Sequence, residues 1–253
     1  MTKPNTVKII YKLMKILNCF IDKEEISFSE LCKITKLSNA TVSRILNTLI
    51  DGEFINKNQK NGLYSLGKNI FILGFSTIKN LDFNKIIGPI LENLANETKE
   101  TANAAIFFDN KIVYIDIREG LSSVKMSARI GTWGYLHTTA LGKAFLAFMN
   151  NTKIEEILKN INLIQKTKNT ITDKNILRQE LMKILKEGYA IDNEEDQIDC
   201  KCIASPVFDR NKKVVGCISI TGSISRISEN ESEIIKIIMK YARLASNKLG
   251  FYE

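Results

Sequence analysis

The sequence lacks the features that would assign it to several common classes of protein. Its 253 residues contain no apolar run long enough to cross a membrane, and its polar first five residues have no signal-peptide apolar region. We therefore expect a cytoplasmic protein with no membrane partner. The five cysteines are odd in number and include no CxxC pair, so neither a disulfide framework nor a structural zinc site is expected.

Motifs for catalysis are also missing. The sequence has no phosphate-binding loop, nucleophile elbow or HExxH motif, and its only histidine is His137. Together with Asp192 and Cys202, His137 could form a Cys-His-Asp catalytic set or a zinc site. We favour a simpler interpretation, in which His137 makes a hydrogen bond near a pocket and Cys202 is a small packed residue. No enzyme activity and no cofactor are expected.

Positive charge is present, and it is concentrated in the first third of the chain. The formal net charge is +8. Residues 1–80 contain 12 basic and 6 acidic side chains, whereas residues 81–253 contain 24 and 22. This imbalance favours the N-terminal third as the place where a polyanion binds.

Two helices are predicted at the N-terminus. The first has apolar residues at alternating three- and four-residue steps, which is the spacing of one helical face. Those residues are Val7, Ile10, Met14, Leu17 and Ile21. A second helix is predicted to begin at Ser27, because Ser27 and Glu30 have the spacing of a capping box, which satisfies free backbone N–H groups.

A third helix is predicted over residues 39–51, with Ser38 as its N-cap. Its apolar residues share one side, and the opposite side is short, polar and carries one arginine. Short polar side chains can reach base edges in the major groove, and arginine can read guanine or hold a phosphate. Taken alone, this face also fits an ordinary solvated helix. The residues proposed to contact DNA are Ser38, Asn39, Ala40, Thr41, Ser43, Arg44 and Asn47.

A basic hairpin is predicted after the third helix. Gly52 ends the helix, a strand begins at Phe54, and the Asn61-Gly62 pair fits a hairpin turn. Lys57 and Lys60 lie on this hairpin, where a wing would meet the phosphate backbone. Three helices followed by a basic hairpin predict a winged helix-turn-helix over residues 1–67, with double-stranded DNA as its partner.

The remaining chain is predicted to contain a linker helix and an α+β domain. Apolar residues at helical spacing over residues 68–82 predict the linker helix. Its apolar side and that of the first helix would suit a dimer interface, or both would pack within one chain. Alternating helix and strand patterns over residues 83–253 indicate an α+β sensor domain. They include a helix opened by Gly88 and Pro89, and a strand over residues 124–129.

One strand pattern, residues 214–221, points to a binding pocket. Its alternation places Cys217, Ser219 and Thr221 on one face and two isoleucines on the other. A face of small polar side chains can line a pocket for a small polar ligand, although it also fits a strand side that faces solvent.

At several places the sequence resembles the IclR family of bacterial transcription regulators. The resemblance extends over essentially the whole chain, and the order and spacing of its segments make it specific, since each segment alone is weak. The matching segments are residues 37–46 (LSNATVSRIL), 62–67 (GLYSLG), 136–144 (LHTTALGKA), 188–192 (GYAID), 202–207 (CIASPV) and 219–222 (SITG).

The resemblance implies a winged helix-turn-helix joined to a GAF-like effector domain, in a homodimer or dimer of dimers that binds a palindromic operator. It implies that the backbone N–H groups of Ala140 and Leu141 hold a ligand carboxylate, as unpaired amides at a helix N-terminus can. Many members have Lys-Ser at positions 39–40, His at 43 and Ser at 221, where this chain differs. The other effector-binding residues that it implies are Met126 as an apolar wall and Asp192, Cys202, Ser219 and Thr221 as polar groups.

The sequence as a whole predicts a transcriptional regulator, a repressor rather than an activator, whose operator binding responds to a small organic acid. Two alternatives remain at this point. One is a regulator that responds to a metal held by His137, Asp192 and Cys202. The other is a DNA-binding protein whose C-terminal domain, residues 83–253, only oligomerises.

Overall fold

The computed structural model describes residues 7–21, 23–79, 82–121 and 129–252 of the chain. Backbone contacts divide the chain into two compact units, Met1–Asn80 and Leu81–Glu253. Each unit has its own hydrophobic core. Within the described ranges, no helix is both long and apolar enough to cross a membrane.

The N-terminal unit has the helices and the hairpin that the sequence predicts. Ser27 and Ser38 cap the second and third helices, each accepting a hydrogen bond from a backbone N–H three residues later. Only one half of the capping box forms among the described residues: the Glu30 N–H donates a hydrogen bond to the Ser27 hydroxyl. The Glu30 carboxylate, which would form the other half, pairs with Lys23 instead. The elements are α1 (Lys8–Asn18), α2 (Phe28–Thr35), α3 (Asn39–Asp51), β1 (Ile55–Lys57), β2 (Tyr64–Leu66) and α4 (Lys68–Lys79).

The core of this unit joins the three helices to the hairpin. Ile16 and Phe20 bring α1 and the turn after it into the core, so the core-facing side of α1 coincides with the predicted apolar stripe only in part. On that stripe, Val7, Ile10 and Met14 are each about half exposed. Leu17 of the stripe packs against the core, whereas Val7, Ile10, Met14 and Ile21 stay exposed in the described part of this unit. The buried residues are Ile16, Phe20, Ile26, Leu31, Val42, Ile45, Leu46, Leu49, Ile55 and Tyr64.

The C-terminal unit is an α+β domain built on a six-stranded antiparallel sheet in the order β5-β4-β3-β8-β7-β6. The short strand β5 and the short helix α9 have no counterpart in the sequence prediction. The elements are α5 (Asp82–Thr98), β3 (Thr101–Phe108), β4 (Lys111–Arg118), β5 (Trp133–Gly134), α6 (Ala140–Ala147), α7 (Asn151–Asn160), α8 (Lys174–Glu187), β6 (Ala190–Asn193), β7 (Cys200–Phe208), β8 (Val214–Ser223), α9 (Ile224–Glu229) and α10 (Glu231–Lys248).

The predicted start of α5 is wrong. Proline at the first position of a helix suggested a beginning at Gly88 and Pro89, but the helix begins at Asp82 and Pro89 lies inside it. Proline inside a helix removes one backbone hydrogen bond. Phe83 and Ile87 are each 1% exposed, and the burial of such apolar side chains before the proline offsets that loss.

Hydrophobic cores cover both faces of the sheet. Helices α5 and α10 pack on one face, and α6 and α8 lie on the other. The predicted alternation of β8 is confirmed, because Cys217 belongs to the core beside α6 whereas Ile218 and Ile220 belong to the core beside α5. The strand predicted over residues 124–129 lies, except for Arg129, outside the described residues.

Candidate functional site

Helix α3 presents a polar surface away from the core of the N-terminal unit. The core side chains of α3 are Val42, Ile45, Leu46 and Leu49. Thr41 is half-buried, and its hydroxyl bonds to the Ser38 hydroxyl at 2.9 Å. The other residues proposed to contact DNA are exposed, and they are Ser38, Asn39, Ala40, Ser43, Arg44 and Asn47.

Arg44 is the one positive charge on this surface of α3. In the described part of the chain it has no acidic partner within ion-pair distance. An exposed guanidinium without such a partner keeps its five donors available for a base edge or a phosphate. Among the described residues, the Arg44 guanidinium is therefore not held in an ion pair.

The hairpin β1–β2 has the geometry of a wing. Its strands pair antiparallel, with Ile55 opposite Leu66 and Lys57 opposite Tyr64. Gly62 closes the turn at a φ of +72°, a conformation that glycine adopts without strain. Lys57 and Lys60 are both exposed, and the Lys57 ammonium lies 5.6 Å from the centre of the Tyr64 ring. Both lysines are thus exposed cations on the hairpin, and exposed cations can bind phosphates.

A second candidate site is a cavity in the C-terminal unit, between the sheet and the N-terminus of α6. Its volume is about 330 Å³, including the part that opens to solvent. The residues that line it are Tyr114, Thr139, Ala140, Leu141, Asp192, Asp196, Gln197, Cys200, Cys202, Ser219 and Thr221.

The first turn of α6 supplies backbone donors to this cavity. Thr139 is the N-cap, and its hydroxyl accepts a hydrogen bond from the Gly142 N–H at 3.0 Å. The Lys143 N–H bonds to the Thr139 carbonyl. In the described structure the N–H groups of Ala140 and Leu141 have no hydrogen-bond partner. Two unpaired amides at a positive helix end form a site that attracts an anion.

The sheet supplies a row of polar side chains opposite these amides. The strand register places Asp192 opposite Cys202, and Cys202 opposite Thr221. The Thr221 hydroxyl donates a hydrogen bond to the Cys202 sulfur at 3.2 Å. Three neighbouring strands therefore bring together residues that are up to 29 positions apart in the sequence.

Asn103 on β3 supports this row from the adjacent strand. Its Nδ2 donates to Ser219 Oγ at 3.3 Å and to Thr221 Oγ1 at 3.1 Å. Since the Ser219 hydroxyl accepts from Asn103, its own hydrogen can be donated to a bound molecule. No local pattern marks Asn103 as a site residue, because its position beside Ser219 depends on a strand pairing across 116 residues.

Asp192 carries the most perturbed carboxyl group of the cavity. Its side chain is 3% exposed, and its Oδ1 accepts hydrogen bonds from the N–H groups of Glu195 and Asp196 at 2.7 and 3.3 Å. Burial raises the pKa of Asp192 to about 7, against the opposing effect of the hydrogen bond from Glu195. Asp192 can therefore change its protonation state near neutral pH.

A buried ion pair holds the loop that follows Asp192. Lys143 of α6 is fully buried, and its Nζ lies 2.5 Å from Glu195 Oε1 and 3.7 Å from Glu180 Oε1. At the next residue of the loop, the Thr138 hydroxyl donates to Asp196 Oδ1 at 2.5 Å. These contacts fix the backbone N–H groups that bind the Asp192 carboxylate.

The contacts of His137 and Cys202 do not favour the catalytic or the metal interpretation of His137, Asp192 and Cys202. His137 Nε2 bonds to the Ile164 carbonyl at 3.0 Å, and burial lowers the pKa of its ring. Contact with Cys200 and burial raise the pKa of the Cys202 thiol, which disfavours the nucleophilic thiolate. Among the described residues, no group of three or more His, Cys, Asp or Glu side chains is arranged to hold a metal ion.

Several cavity residues were absent from the sequence prediction. Tyr114 reaches the cavity from β4, and burial raises the pKa of its hydroxyl. Thr139, the N-cap of α6, was recognisable from its residue type directly before Ala140 and Leu141. Met126, which the resemblance placed as an apolar wall, lies outside the described residues. The others that were missed are Asp196, Gln197 and Cys200.

Comparison with known sequences covers both units. The family model for the bacterial transcriptional regulator IclR C-terminal domain matches residues 75–247, and a winged helix-turn-helix DNA-binding model matches residues 11–56. The chain is 31% identical to the HTH-type transcriptional regulator KdgR of Dickeya chrysanthemi, over 99% of this chain and 83% of the relative. It is 29% identical to the transcriptional repressor IclR of Escherichia coli (strain K12), over 96% of this chain and 90% of the relative.

Two solved structures have the same fold. The IclR crystal structure of Thermotoga maritima has a TM-score of 0.83 and 31% identity, and the match covers 97% of this chain and 100% of that one. An IclR homolog of Microbacterium hydrocarbonoxydans, complexed with 4-hydroxybenzoate, has a TM-score of 0.85 and 18% identity, with coverages of 96% and 99%. At that identity the second likeness concerns the fold alone.

The fold, the exposed α3 surface and these matches lead to one conclusion. The relatives are transcriptional regulators rather than enzymes, and the C-terminal family model alone covers more than half of the chain. The chain belongs to the IclR family of bacterial transcriptional regulators, with an N-terminal winged helix-turn-helix for binding DNA and a C-terminal IclR effector domain.

Proposed function

We propose that this regulator is a repressor that binds a palindromic operator as a homodimer or a dimer of dimers, and that a small carboxylic acid in the C-terminal cavity changes its operator affinity. The observation that carries the proposal is the pair of unpaired Ala140 and Leu141 amides facing the polar row of the sheet. A ligand shifts operator occupancy only if it binds the two functional states with different affinity.

For the DNA contacts, we propose the exposed surface of α3 and the wing. Asn39, Ser43 and Asn47 are short enough to approach base edges, while Arg44 provides a bidentate donor. Ser38, Ala40 and Thr41 form the first turn of the helix, where the backbone of a recognition helix approaches DNA most closely. Lys57 and Lys60 of the wing would bind phosphates, which sets orientation rather than sequence preference.

For the effector, we propose a carboxylate held by the N–H groups of Ala140 and Leu141. Ser219 and Thr221 offer hydroxyl groups, Asp192 offers a carboxyl group, and Cys202 closes the wall between them. Support comes from the relative that is complexed with 4-hydroxybenzoate, itself a small acid with a hydroxyl group. The contribution proposed for Met126 concerns a residue outside the described part of the chain.

For the dimer, the proposal rests on the apolar stripe of α1. Val7, Ile10 and Met14 are 58%, 49% and 54% exposed, and Ile21 beyond the helix is 66% exposed. Exposed apolar residues grouped on one side of a helix favour association with another protein surface. A second copy of the same helix is the partner that a two-fold palindromic operator requires.

Thermal-shift measurements with small acids test the effector proposal. We expect a ligand at 100 times its Kd to stabilise the full chain by about 2.7 kcal/mol, and Ser219→Ala to reduce this shift while leaving DNA binding intact. Arg44→Ala should weaken DNA binding and leave the thermal shift by the acid unchanged. If no acid stabilises the chain, a C-terminal domain that only oligomerises becomes the better account.

DNA-binding measurements with the same protein and acid test whether the effector weakens or strengthens operator binding. A duplex obtained by selection from random DNA should be released when the stabilising acid is added, as expected for a repressor that is relieved by its effector. Tighter binding in the presence of the acid would instead indicate a corepressor or an activator.

A further inference from the structure

The cavity contains an anion site without a basic side chain. Among the described residues that line it, none is lysine, arginine or histidine, whereas two are aspartates. The nearby cation, Lys143, is fully buried and already pairs with Glu195 and Glu180. A carboxylate that reaches the Ala140 and Leu141 amides therefore comes close to the carboxyl groups of Asp192 and Asp196. Each of these groups is negatively charged once it has lost its proton, and it then repels the ligand carboxylate.

Asp192 is the deeper of these two carboxyl groups. Its Oδ1 is occupied by two backbone N–H groups, whereas its Oδ2 has no hydrogen-bond partner in the described structure, although the side chain is 97% buried. Asp192 is one of the residues that line the cavity, and Oδ2 is the carboxyl oxygen that the loop amides leave unpaired. Asp196 is half-buried and its Oδ1 accepts the Thr138 hydroxyl, so it belongs to the mouth.

We propose that Asp192 selects the charge of the effector: the cavity accepts a monocarboxylate together with one proton, carried on Asp192 Oδ2, and rejects a second carboxylate at that end. The proposal rests on the effector site of the proposed function. The proton comes from solvent and no covalent bond changes. A protonated Asp192 donates a hydrogen bond to an oxygen of the ligand, whereas an ionised Asp192 repels it.

The groups around Asp192 agree with this assignment. Glu195 is paired with Lys143, and neither residue lines the cavity. Cys202 and Tyr114 face the same space, and burial contributes to a raised pKa in each, so neither carries charge near neutral pH. Burial also brings the pKa of Asp192 to about 7, which makes its proton available under ordinary conditions.

Calorimetric titration of the full chain tests the proposal, with four matched pairs of acids as probes. They are lactate with malate, propionate with succinate, gluconate with glucarate, and 4-hydroxybenzoate with terephthalate. For each monocarboxylate that binds, Kd should rise about 30-fold between pH 6 and pH 8.5, because affinity falls tenfold per pH unit above about 7. Its dicarboxylate partner should bind at least tenfold more weakly at pH 8.5.

Two variants separate the effect of Asp192 from general changes in charge. Asp192→Asn should bind with a Kd that changes less than threefold over the same pH range. Asp199→Asn is the control, because Asp199 is exposed on the same loop at a φ of 60° that asparagine tolerates. It should retain the 30-fold change. Titrations in buffers of different ionisation enthalpy should detect about one proton taken up per ligand at pH 8.5 by the unaltered protein, a readout that needs no variant.

The outcomes are distinguishable. A monocarboxylate that binds with a pH-independent Kd and no proton uptake would overturn the role of Asp192 while leaving the effector site intact. Equal affinity for lactate and malate, or for another pair, would also overturn it. Failure of every acid to bind at either pH would instead refute the proposed effector site itself.

Discussion

Replacing Lys143 with methionine should destabilise the C-terminal unit strongly. The side chain is fully buried, its Nζ is 2.5 Å from Glu195 Oε1, and Glu195 Oε2 already has no hydrogen-bond partner among the described residues. Removing one partner of a buried pair leaves an uncompensated buried charge and costs about 3–5 kcal/mol. For a unit of this size each kcal/mol lowers Tm by about 2–4 °C, so a fall of about 6–20 °C is expected.

Thermal unfolding of the full chain measures this effect. Trp133 is the only tryptophan and lies in the C-terminal unit, so its fluorescence reports on the unit that contains the substitution. The matched control is Lys153→Met, which breaks a pair whose side chains are 38% and 61% exposed. Exposed pairs contribute about 0–1 kcal/mol, so this control should change Tm by only a few degrees.

A double variant identifies the cause of the destabilisation. Lys143→Met combined with Glu195→Gln removes both charges, and most of the stability should return because no buried charge is then left without a partner. If Lys143→Met were no more destabilised than Lys153→Met, or if the double variant were less stable than both single variants, the assignment of a structural ion pair would be refuted. The free energy of unfolding from denaturant titration provides the second measure.

Three further changes test other parts of the structure. Thr139→Ala removes the N-cap of α6 and should lower the free energy of unfolding by about 1 kcal/mol, with weaker binding of the stabilising acid in calorimetry; unchanged binding would argue against the α6 site. Since the pKa of Asp192 is raised to about 7 in the folded state, the unfolded chain loses this proton first, and stability should fall as pH rises from about 4 to 7. In denaturant titrations at each pH, the free energy of unfolding of the unaltered protein should fall by at most about 3 kcal/mol between pH 5 and 7. Asp192→Asn should not show this fall. Replacing both Lys57 and Lys60 with alanine should lower the slope of log affinity against log salt by about 1 for each phosphate that is no longer bound, with little change in sequence preference; an unchanged slope would remove the wing from the interface.

The sequence predicted those parts of the fold that depend on local patterns. The bounds of α3 follow from the Ser38 cap and from apolar residues at helical spacing, and the alternation of β8 assigned its two faces correctly. The start of α5 was predicted wrongly, because a local preference of proline suggested a helix start where burial of earlier apolar residues continues the helix.

The cavity was predictable only in part, for a physical reason. Its residues come from β4, β6, β7, β8 and α6, and the contacts among them form across long stretches of chain. Asn103 meets Ser219 across 116 residues, and Lys143 meets Glu195 across 52. Neither pairing has a local signature, since a single asparagine on a strand or a lysine on a helix is ordinarily exposed. Resemblance to a family supplied the residues proposed at the site, and the structure added the partners that hold them.

Selection from random double-stranded DNA, followed by affinity measurements with Arg44→Ala, tests the central claim most directly. The unaltered protein should enrich an inverted repeat with half-sites about one helical turn apart, and Arg44→Ala should weaken binding to that duplex by about 1–3 kcal/mol for each guanine that the arginine reads. The control Arg210→Ala removes an exposed arginine of the C-terminal unit and should bind as the unaltered protein does. Failure to enrich any sequence, or equal affinity of Arg44→Ala and Arg210→Ala for the selected duplex, would contradict the assignment of α3 as the recognition helix.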